Sequence, residues 1–291
     1  HTIFIGKKSL PRRFKKLVIK IEKLKQVEGY KIVLPQDEYE YTNLLNHFIN
    51  EFNIDHIFSV APKSEFELVY DKVNKEKVKI DRVLTGYLDK DTVENIVEYI
   101  ELNHDREIDI GYRANQLPFS LGKQGRLKKE IAEIFKDKCK NNRLKVDLSN
   151  KPGDTFLGLD WYKFLGNCKY TIGVEGGASI LDKDGEISNR VTKYLDKFPD
   201  ASFEDVSENI LSKFEGSIQY FAISPRNLEC CITKTCQVLI EGDYNKILKP
   251  GVDYIELKRD FSNIKEVIDI IEKDELRLAM VDRAFKNIVE N

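Results

Sequence analysis

The segment SPRNLE, residues 224–229, combines residue types that could bind a charged and hydroxylated ligand. Ser224 is a good helix cap and Pro225 fits a first helical turn. Arg226 then stands beside a helix N-terminus, where free backbone N–H groups favour an anion such as a diphosphate. One turn further, Glu229 can accept two hydrogen bonds from a ribose diol. A capping box of Ser224 with the downstream Glu229 is the structural alternative.

Two glycine-bearing loops offer further candidates. In VEGGAS, Gly176 and Gly177 follow an apolar run and allow the backbone to approach a ligand closely, and Glu175 lies in the same turn. The loop GYRANQLPFSLGKQG contains Arg113 and Lys123. This second loop matches neither the P-loop nor the GxGxxG pattern, so the ATPase and dinucleotide-binding classes lose their best sequence support. An ordinary tight turn is the alternative for each loop.

The elements that position these residues form a βα alternation. Short apolar runs alternate with amphipathic helical stretches along nearly the whole chain, which is typical of a parallel sheet. Ligands of open α/β sheets bind beyond the carboxyl ends of the strands. Four loops occupy that position, beginning at Gln36, Arg113, Glu175 and Ser224. An ordinary turn or a helix cap is the alternative at each.

The predicted elements fall into two series separated by a polar linker at 102–107. Strands are predicted at 2–6, 30–35, 56–61, 82–86, 108–112, 143–149, 169–174, 219–224 and 237–242. Helices are predicted at 10–26, 41–52, 91–102, 125–141, 160–168, 226–234, 263–273 and 274–290. The stretch 178–216 is less regular. Two consecutive Rossmann-like halves would place a cleft between them.

Composition excludes several classes of protein. The 291 residues are 41% hydrophobic and 33% charged, which predicts packed domains and argues against wholesale disorder. Lys plus Arg number 47 against 49 Asp plus Glu, so a general nucleic-acid binder is not expected. No run approaches the length of a membrane span. Five cysteines without a CxxC pair predict a reducing compartment, no zinc or disulfide framework, and thiols that act as small buried hydrophobes.

A basic amphipathic helix is predicted at 10–26. Nine basic residues at and before it oppose a single acid, Glu22: Lys7, Lys8, Arg12, Arg13, Lys15, Lys16, Lys20, Lys23 and Lys25. One interpretation is a Rossmann helix with a solvated outer face. The other is peripheral docking to an anionic membrane surface.

Four segments together resemble bacterial GT-B glycosyltransferases, of the branch that includes spore-maturation-like and surface-polysaccharide enzymes. They are LPQDEY, REIDIGYRANQLPFSLGKQG, GVEGGASILDKDGEI, and ISPRNLECCITKTCQVLIEGDYNKILKPGVDYIELKRDFSN. The resemblance implies an α/β protein with two Rossmann-like domains facing across a cleft. We expect an acceptor-side domain at 1–104, a nucleotide-sugar-binding domain at 105–274, and a helix at 275–291 that crosses back to the first domain. Because the first domain is short, we expect the chain to be the core of a longer enzyme.

The resemblance also implies roles for the candidate residues. Glu229 corresponds to the glutamate that binds the donor ribose, and Glu175 lies where related enzymes contact the transferred sugar. The basic residues would neutralise the donor diphosphate, because such sites usually have neither metal nor cofactor to stabilise the leaving group. The expected donor-binding set is Arg113, Lys123, Gly176, Gly177, Ser224, Arg226 and Glu229.

The stereochemical outcome is less constrained. Many relatives have two glutamates eight positions apart in one EX7E motif. Here the position eight residues before Glu229 is Phe221, so a retaining mechanism does not follow from that motif. If the sugar is inverted, a base must take the acceptor proton. Asp37 is the first candidate and Glu38 the second, since LPQDEY places them after a first-domain strand. The alternative is that either residue merely caps the helix at 41–52.

The resulting hypothesis is a metal-independent glycosyltransferase. It would move a sugar from a nucleotide-diphosphate donor to a hydroxyl of a cell-surface glycan, such as a polysaccharide, lipopolysaccharide O-antigen or glycoprotein glycan. We expect a cytoplasmic protein at the inner face of the plasma membrane, contacting anionic lipid through the helix at 10–26 and binding no nucleic acid. A sugar-nucleotide epimerase of the same architecture and a non-catalytic glycan- or protein-binding module are the alternatives.

Overall fold

The computed structural model of the protein describes residues 11–102 and 105–290. The predicted strand at 2–6, together with Lys7 and Lys8, lies outside the described residues. The helices are α1 Pro11–Lys20, α2 Thr42–Glu51, α3 Phe66–Val69, α4 Lys90–Leu102, α5 Gly122–Lys138, α6 Leu159–Gly166, α7 Glu186–Lys197, α8 Phe203–Val206, α9 Pro225–Ile232, α10 Ile264–Lys273 and α11 Arg277–Phe285. The strands are β1 Ile32–Val33, β2 His56–Ser59, β3 Lys79–Arg82, β4 Ile108–Arg113, β5 Val146–Ser149, β6 Cys168–Gly173, β7 Gly176–Ala178, β8 Tyr220–Ala222, β9 Cys236–Ile240 and β10 Tyr254–Leu257.

The chain divides into two compact units, and it passes between them several times. The first unit holds the described residues up to Leu84 together with Pro118–Gly125 and Gly177–Ala222. The second holds Thr85–Leu117, Arg126–Gly176 and the residues from Ile223 onward. This division does not coincide with the predicted boundary between residues 104 and 105, since packing returns distant segments of the chain to the same unit.

The second unit is built on a five-stranded parallel sheet with the order β5-β4-β6-β9-β10. In this sheet Ile110 of β4 pairs with Val146 on one side and Tyr170 on the other. The order of strands along the chain reverses between β4 and β6. Every residue of β9 is buried, as expected for a parallel strand covered by helices on both faces. The predicted α/β class with a parallel sheet is therefore confirmed.

The core of the second unit lies on this sheet and under its C-terminal helices. Val267 and Ile271 of α10 and Met280 and Val281 of α11 are buried in the same apolar cluster as strands β4, β6 and β9. The predicted crossing of the last helix to the first domain, and the cleft between two domains, stay predictions.

All five cysteines are buried and free, which confirms that they act as small apolar side chains.

The first unit has a parallel sheet of β1, β2 and β3, in that order. Phe48 of α2 stacks on Phe52 at 4.5 Å between ring centroids and meets Phe14 of α1 edge-on at 5.8 Å. A second apolar cluster joins helices α7 and α8. These helices and β10 had no counterpart in the sequence prediction, which treated 178–216 as irregular although the apolar residues of α7 have helical spacing.

Two predicted strands differ from the structure. The strand predicted at 82–86 ends at Arg82, since β3 is the run Lys79–Arg82. The strand predicted at 219–224 exists as β8 but pairs with β7, so its predicted membership of the second Rossmann-like series is wrong. An apolar run indicates a strand, whereas its partner depends on where the chain returns.

Helix α1 ends at Lys20, and a short 3-10 helix, Glu22–Gln26, follows it. Only Phe14 of α1 is buried. The basic side chains of Arg12, Arg13, Lys15, Lys16, Lys20 and Lys23 are exposed. Within the described residues, no helix combines the length and the apolar character needed to cross a membrane.

Candidate functional site

A pocket of about 300 Å³ lies in the second unit, at the edge of the sheet where β4 and β6 end. The strand order reverses between these two strands, and ligands of open α/β sheets bind beyond carboxyl ends at such a point. The N-terminal turn of α9 forms another part of the wall. The lining residues are Arg113, Ala114, Asn115, Lys128, Thr155, Phe156, Trp161, Val174, Ser224, Pro225, Arg226 and Glu229.

Arg226 stands at the N-terminal end of α9, as the sequence predicts. Its Nη2 donates to the carbonyl oxygen of Arg113 at 2.5 Å. Its guanidinium carbon lies 5.2 Å from the ring centroid of Tyr112 and 5.3 Å from that of Trp161, so two aromatic faces hold the cation. Within the described residues, the buried Nε has no hydrogen-bond partner. The pocket therefore presents a positive charge beside backbone N–H groups that also favour an anion.

Ser224 begins α9, but its capping partner is Asn227. The backbone N–H and the hydroxyl of Ser224 each donate to Oδ1 of Asn227 at 2.9 Å. The predicted box with Glu229 is wrong, because the third helical position, which closes a capping box, belongs to Asn227. Glu229 is one turn further and is left to face the pocket.

Glu229 receives a hydrogen bond from Trp161, a residue that sequence reasoning had not selected. The indole Nε1 donates to Oε2 of Glu229 at 2.7 Å. Trp161 lies on α6, where its ring packs on Phe164 with 5.9 Å between centroids. One feature of the sequence could have singled out Trp161 as a site residue, namely that it is the only tryptophan of the chain. Lys128 of α5 and Phe156 also line the pocket without having been predicted.

Arg113 is in the pocket wall, as predicted, and its guanidinium is tightly held. It forms an ion pair with Asp147 at 2.7 Å, and its Nε donates to the carbonyl of Asp154 at 3.0 Å. The guanidinium carbon lies 4.5 Å from the Phe164 ring and 5.1 Å from the Phe156 ring. Because Asp147 already balances the charge of Arg113, this residue mainly shapes the wall of the pocket, to which Arg226 and Lys128 also contribute.

Glu175 is buried, with a relative exposure of 2%, and its carboxylate holds the turn that follows β9. It accepts the backbone N–H of Tyr244 at 2.8 Å and that of Asp243 at 3.3 Å. Burial raises the pKa of this carboxyl, although the two hydrogen bonds oppose that shift. The pocket lining, among the described residues, does not include Glu175.

The two glycines of VEGGAS form strand β7. Gly177 has a φ of +121°, and a Cβ placed on it would lie 1.8 Å from the carbonyl oxygen of Tyr220. Close pairing of β7 with β8 therefore explains why position 177 is glycine. Among the described residues, the pocket lining includes neither Gly176 nor Gly177.

Glu38 lies in the first unit and is fully buried. Its carboxylate accepts hydrogen bonds from the hydroxyls of Ser59 at 2.5 Å and Tyr220 at 2.6 Å, from the phenol of Tyr70, and from the N–H of Val60 at 3.1 Å. Burial raises the pKa of Glu38, and the hydrogen bonds oppose that shift. Because this carboxyl has no contact with solvent, Glu38 does not fit its predicted role as the second candidate for the base.

Asp37 is exposed and accepts a hydrogen bond of 2.8 Å from the phenol of Tyr39. Helix α2 is preceded by Tyr41 in a left-handed conformation with a φ of 50°, so neither Asp37 nor Glu38 caps that helix. The capping alternative is wrong for both residues. Of the two acids, Asp37 is the one that a substrate could reach from solvent.

Lys123 lies in the first unit, near the start of α5, with an exposed side chain. Its backbone N–H donates to Oε2 of Glu215 at 3.1 Å, so an internal carboxylate already occupies this end of the helix. The pocket lining does not include Lys123 among the described residues; Lys128, further along α5, contributes instead.

Metal-ligating side chains are not clustered in the described part of the chain. No three His, Cys, Asp or Glu residues among 11–102 and 105–290 are placed to hold a metal ion. Metal independence of the reaction stays a prediction.

Comparisons with known proteins give weak likenesses. No family model and no curated protein matches the chain. Among solved structures, TarM is 12% identical with a TM-score of 0.46, over 90% of this chain and 47% of TarM. HepE of Anabaena in complex with UDP-glucose is 8% identical with a TM-score of 0.47, over 94% and 77% of the two chains. The pneumococcal O-GlcNAc transferase GtfA in complex with UDP and GlcNAc is 10% identical with a TM-score of 0.44, over 95% and 51%.

The present chain thus spans about half the length of the TarM and GtfA chains. With TM-scores below 0.5, these likenesses establish neither a family nor an activity.

Proposed function

We propose that the protein is a glycosyltransferase that takes a sugar from a nucleoside-diphosphate donor and transfers it to a hydroxyl of a cell-surface glycan. The observation that carries the proposal is the pocket at the β4 and β6 edge, where α9 brings Arg226 and Glu229 to one opening. The sequence resemblance to bacterial GT-B glycosyltransferases, of the spore-maturation-like and surface-polysaccharide branch, supports it.

The side chains of the pocket suit two parts of such a donor, the diphosphate and the ribose. Arg226 and the N-terminal turn of α9 would bind the diphosphate, with Lys128 adding a second positive charge. Glu229 would accept hydrogen bonds from the ribose diol. During transfer the bond between the anomeric carbon and the diphosphate oxygen breaks, and the leaving group gains negative charge. Fixed cations and N–H groups stabilise that charge without a reorganisation of solvent.

The acceptor hydroxyl must lose its proton as its oxygen bonds to the anomeric carbon. We assign the base to Asp37, because it is exposed whereas Glu38 is fully buried and already accepts four hydrogen bonds. The proton would pass from the acceptor oxygen to the Asp37 carboxylate. If the acceptor oxygen attacks from the face opposite the diphosphate, this step inverts the configuration of the transferred sugar.

We also propose that α1 contacts an anionic membrane surface, which would place the protein at the inner face of the plasma membrane. Its exposed basic side chains support this, since each one near anionic lipid contributes about 1 kcal/mol. Pelleting with vesicles of phosphatidylglycerol and phosphatidylcholine should show binding that falls as salt rises. A variant with Arg12→Glu, Arg13→Glu and Lys16→Glu should not pellet, and salt-independent pelleting of the wild-type protein would refute the contact.

Nucleotide binding and product analysis test the main proposal. A thermal-shift screen of UDP, GDP, CDP and dTDP should identify one that raises the melting temperature, since a ligand that binds only the folded state stabilises it. With the matching nucleotide sugar, release of free nucleoside diphosphate that depends on added acceptor supports transfer. Isomerised sugar nucleotide without acceptor would instead indicate an epimerase, and no nucleotide binding would indicate a non-catalytic binding module.

A further inference from the structure

We infer that Trp161 is a positioning residue of the donor pocket, which orients the Glu229 carboxylate toward the ribose and supports the Arg226 guanidinium against the diphosphate. The inference deepens the proposed function and rests on it. It assigns the pocket a preference for a nucleotide with a ribose diol, built by one side chain on α6 that contacts residues of α9.

The hydrogen bond between Trp161 and Glu229 has one possible direction. An indole N–H only donates, so the carboxylate is the acceptor, and at 2.7 Å the bond is short for an N–H donor. A Glu side chain at the edge of a pocket can otherwise adopt several rotamers. Fixing Oε2 on the indole limits that freedom and leaves the other lone pairs of the carboxylate for the two hydroxyls of a diol.

The ring of Trp161 makes the second contact. Its centroid lies 5.3 Å from the guanidinium carbon of Arg226, and the Tyr112 ring holds the same cation at 5.2 Å. Trp161 is itself supported by Phe164, with nearly parallel rings at an angle of 28°. One rigid aromatic group therefore sets both the acidic and the basic group that the donor must meet.

Removing the N–H alone separates the two contacts. Trp161→Phe keeps an aromatic face near Arg226 and deletes the donor to Glu229. We expect UDP to bind about tenfold more weakly to this variant in isothermal titration calorimetry, in line with a hydrogen bond to a charged group. Inorganic pyrophosphate has no ribose, so its affinity should change by less than about twofold. Trp161→Ala removes both contacts and should weaken both ligands.

Three controls complete the experiment. Tyr87→Phe removes a polar group from an 85% exposed side chain of the same unit, outside the pocket lining, and should bind UDP like the wild type. The double variant Glu229→Gln with Trp161→Phe completes a double-mutant cycle. Trp161→Phe should weaken UDP binding less in the Glu229→Gln background than in the wild-type background, because the two residues act as a pair. If Trp161→Phe melts at a lower temperature, benzothienylalanine at position 161 keeps the bicyclic ring and lacks only the N–H.

Two results would overturn the inference. The first is unchanged UDP affinity in Trp161→Phe or its benzothienylalanine counterpart, and the second is an equal loss for UDP and pyrophosphate, which indicates a merely structural role. Either result leaves the proposed function intact when the wild-type protein binds UDP. If the wild-type protein binds none of the four nucleotides in the thermal-shift screen, the proposed function fails and this inference fails with it.

Discussion

The phenol of Tyr220 donates a hydrogen bond of 2.6 Å to Oε2 of Glu38, across 182 residues of chain. Ser59 and Tyr70 donate to the other oxygen of the same carboxyl. Glu38 thereby joins the end of β2, the residue after α3, and strand β8. Because the carboxyl is fully buried, its removal would take the acceptor from three buried hydroxyl groups.

Glu38→Ala should destabilise the protein by at least about 3 kcal/mol, since it leaves several buried donors unsatisfied. Urea unfolding followed by circular dichroism measures the change. Glu67→Ala is the matched control, because Glu67 has an 80% exposed side chain, and its effect should stay within about 0.5 kcal/mol. Equal stability of the two variants would contradict the structural role of Glu38.

The stability of the protein should also depend on the protonation of Glu38. Burial raises the pKa of this carboxyl above its ordinary value of 4.5. The folded state then holds a proton at pH values where the unfolded chain has released it. This stabilisation is fully present below about pH 4.5 and is lost as the pH rises through the folded-state pKa.

We therefore expect the free energy of unfolding to fall over that range in the wild-type protein, and to fall less steeply in Glu38→Gln. Urea titrations at several pH values from about 4 to 8 measure both slopes. Parallel pH profiles of the two proteins would show that Glu38 does not contribute.

Gly177→Ala should be strongly destabilising. The new methyl group would lie 1.8 Å from the Tyr220 carbonyl oxygen, and the φ of +121° is one that alanine rarely adopts. We expect a loss of more than about 2 kcal/mol in thermal or urea unfolding. Gly153→Ala is the control, because nothing lies within 4 Å of its Cβ position. A Gly177→Ala protein as stable as the control would refute the close pairing of β7 with β8.

Nucleotide binding should change the fluorescence of Trp161. It is the only tryptophan of the chain and lines the pocket, so a titration with UDP reports on that site alone. Arg226→Ala should shift the midpoint to about tenfold higher UDP, because the proposed contact between this cation and the diphosphate is lost. Arg143→Ala, an exposed arginine of the same unit outside the lining, should leave it unchanged. Equal midpoints for both variants would place the diphosphate elsewhere.

Asp37→Asn should abolish sugar transfer while leaving the affinity for UDP unchanged, because the amide cannot take the acceptor proton. Release of nucleoside diphosphate in the presence of acceptor measures the reaction, and calorimetry measures binding. Asp91→Asn makes the same chemical change at an exposed helical position and should keep full turnover. Unchanged turnover in Asp37→Asn would remove it as the base.

The sequence by itself determined the class of fold and part of the candidate site. The alternation of apolar runs and amphipathic stretches is local, and it correctly predicted a parallel α/β sheet. Cap and spacing rules are local as well, so they placed Arg226 and Glu229 on the first turns of one helix after Ser224.

The tertiary structure alone decided which distant residues meet. Trp161 donates to Glu229 across 68 residues, and β8 pairs with β7 and brings Tyr220 to Glu38. Such contacts depend on the order of the strands and on the points where the chain passes between units. A local pattern of residue types predicts neither of these. Burial follows from the same packing, which is why Glu38 and Asp37, neighbours in sequence, have opposite exposure to solvent.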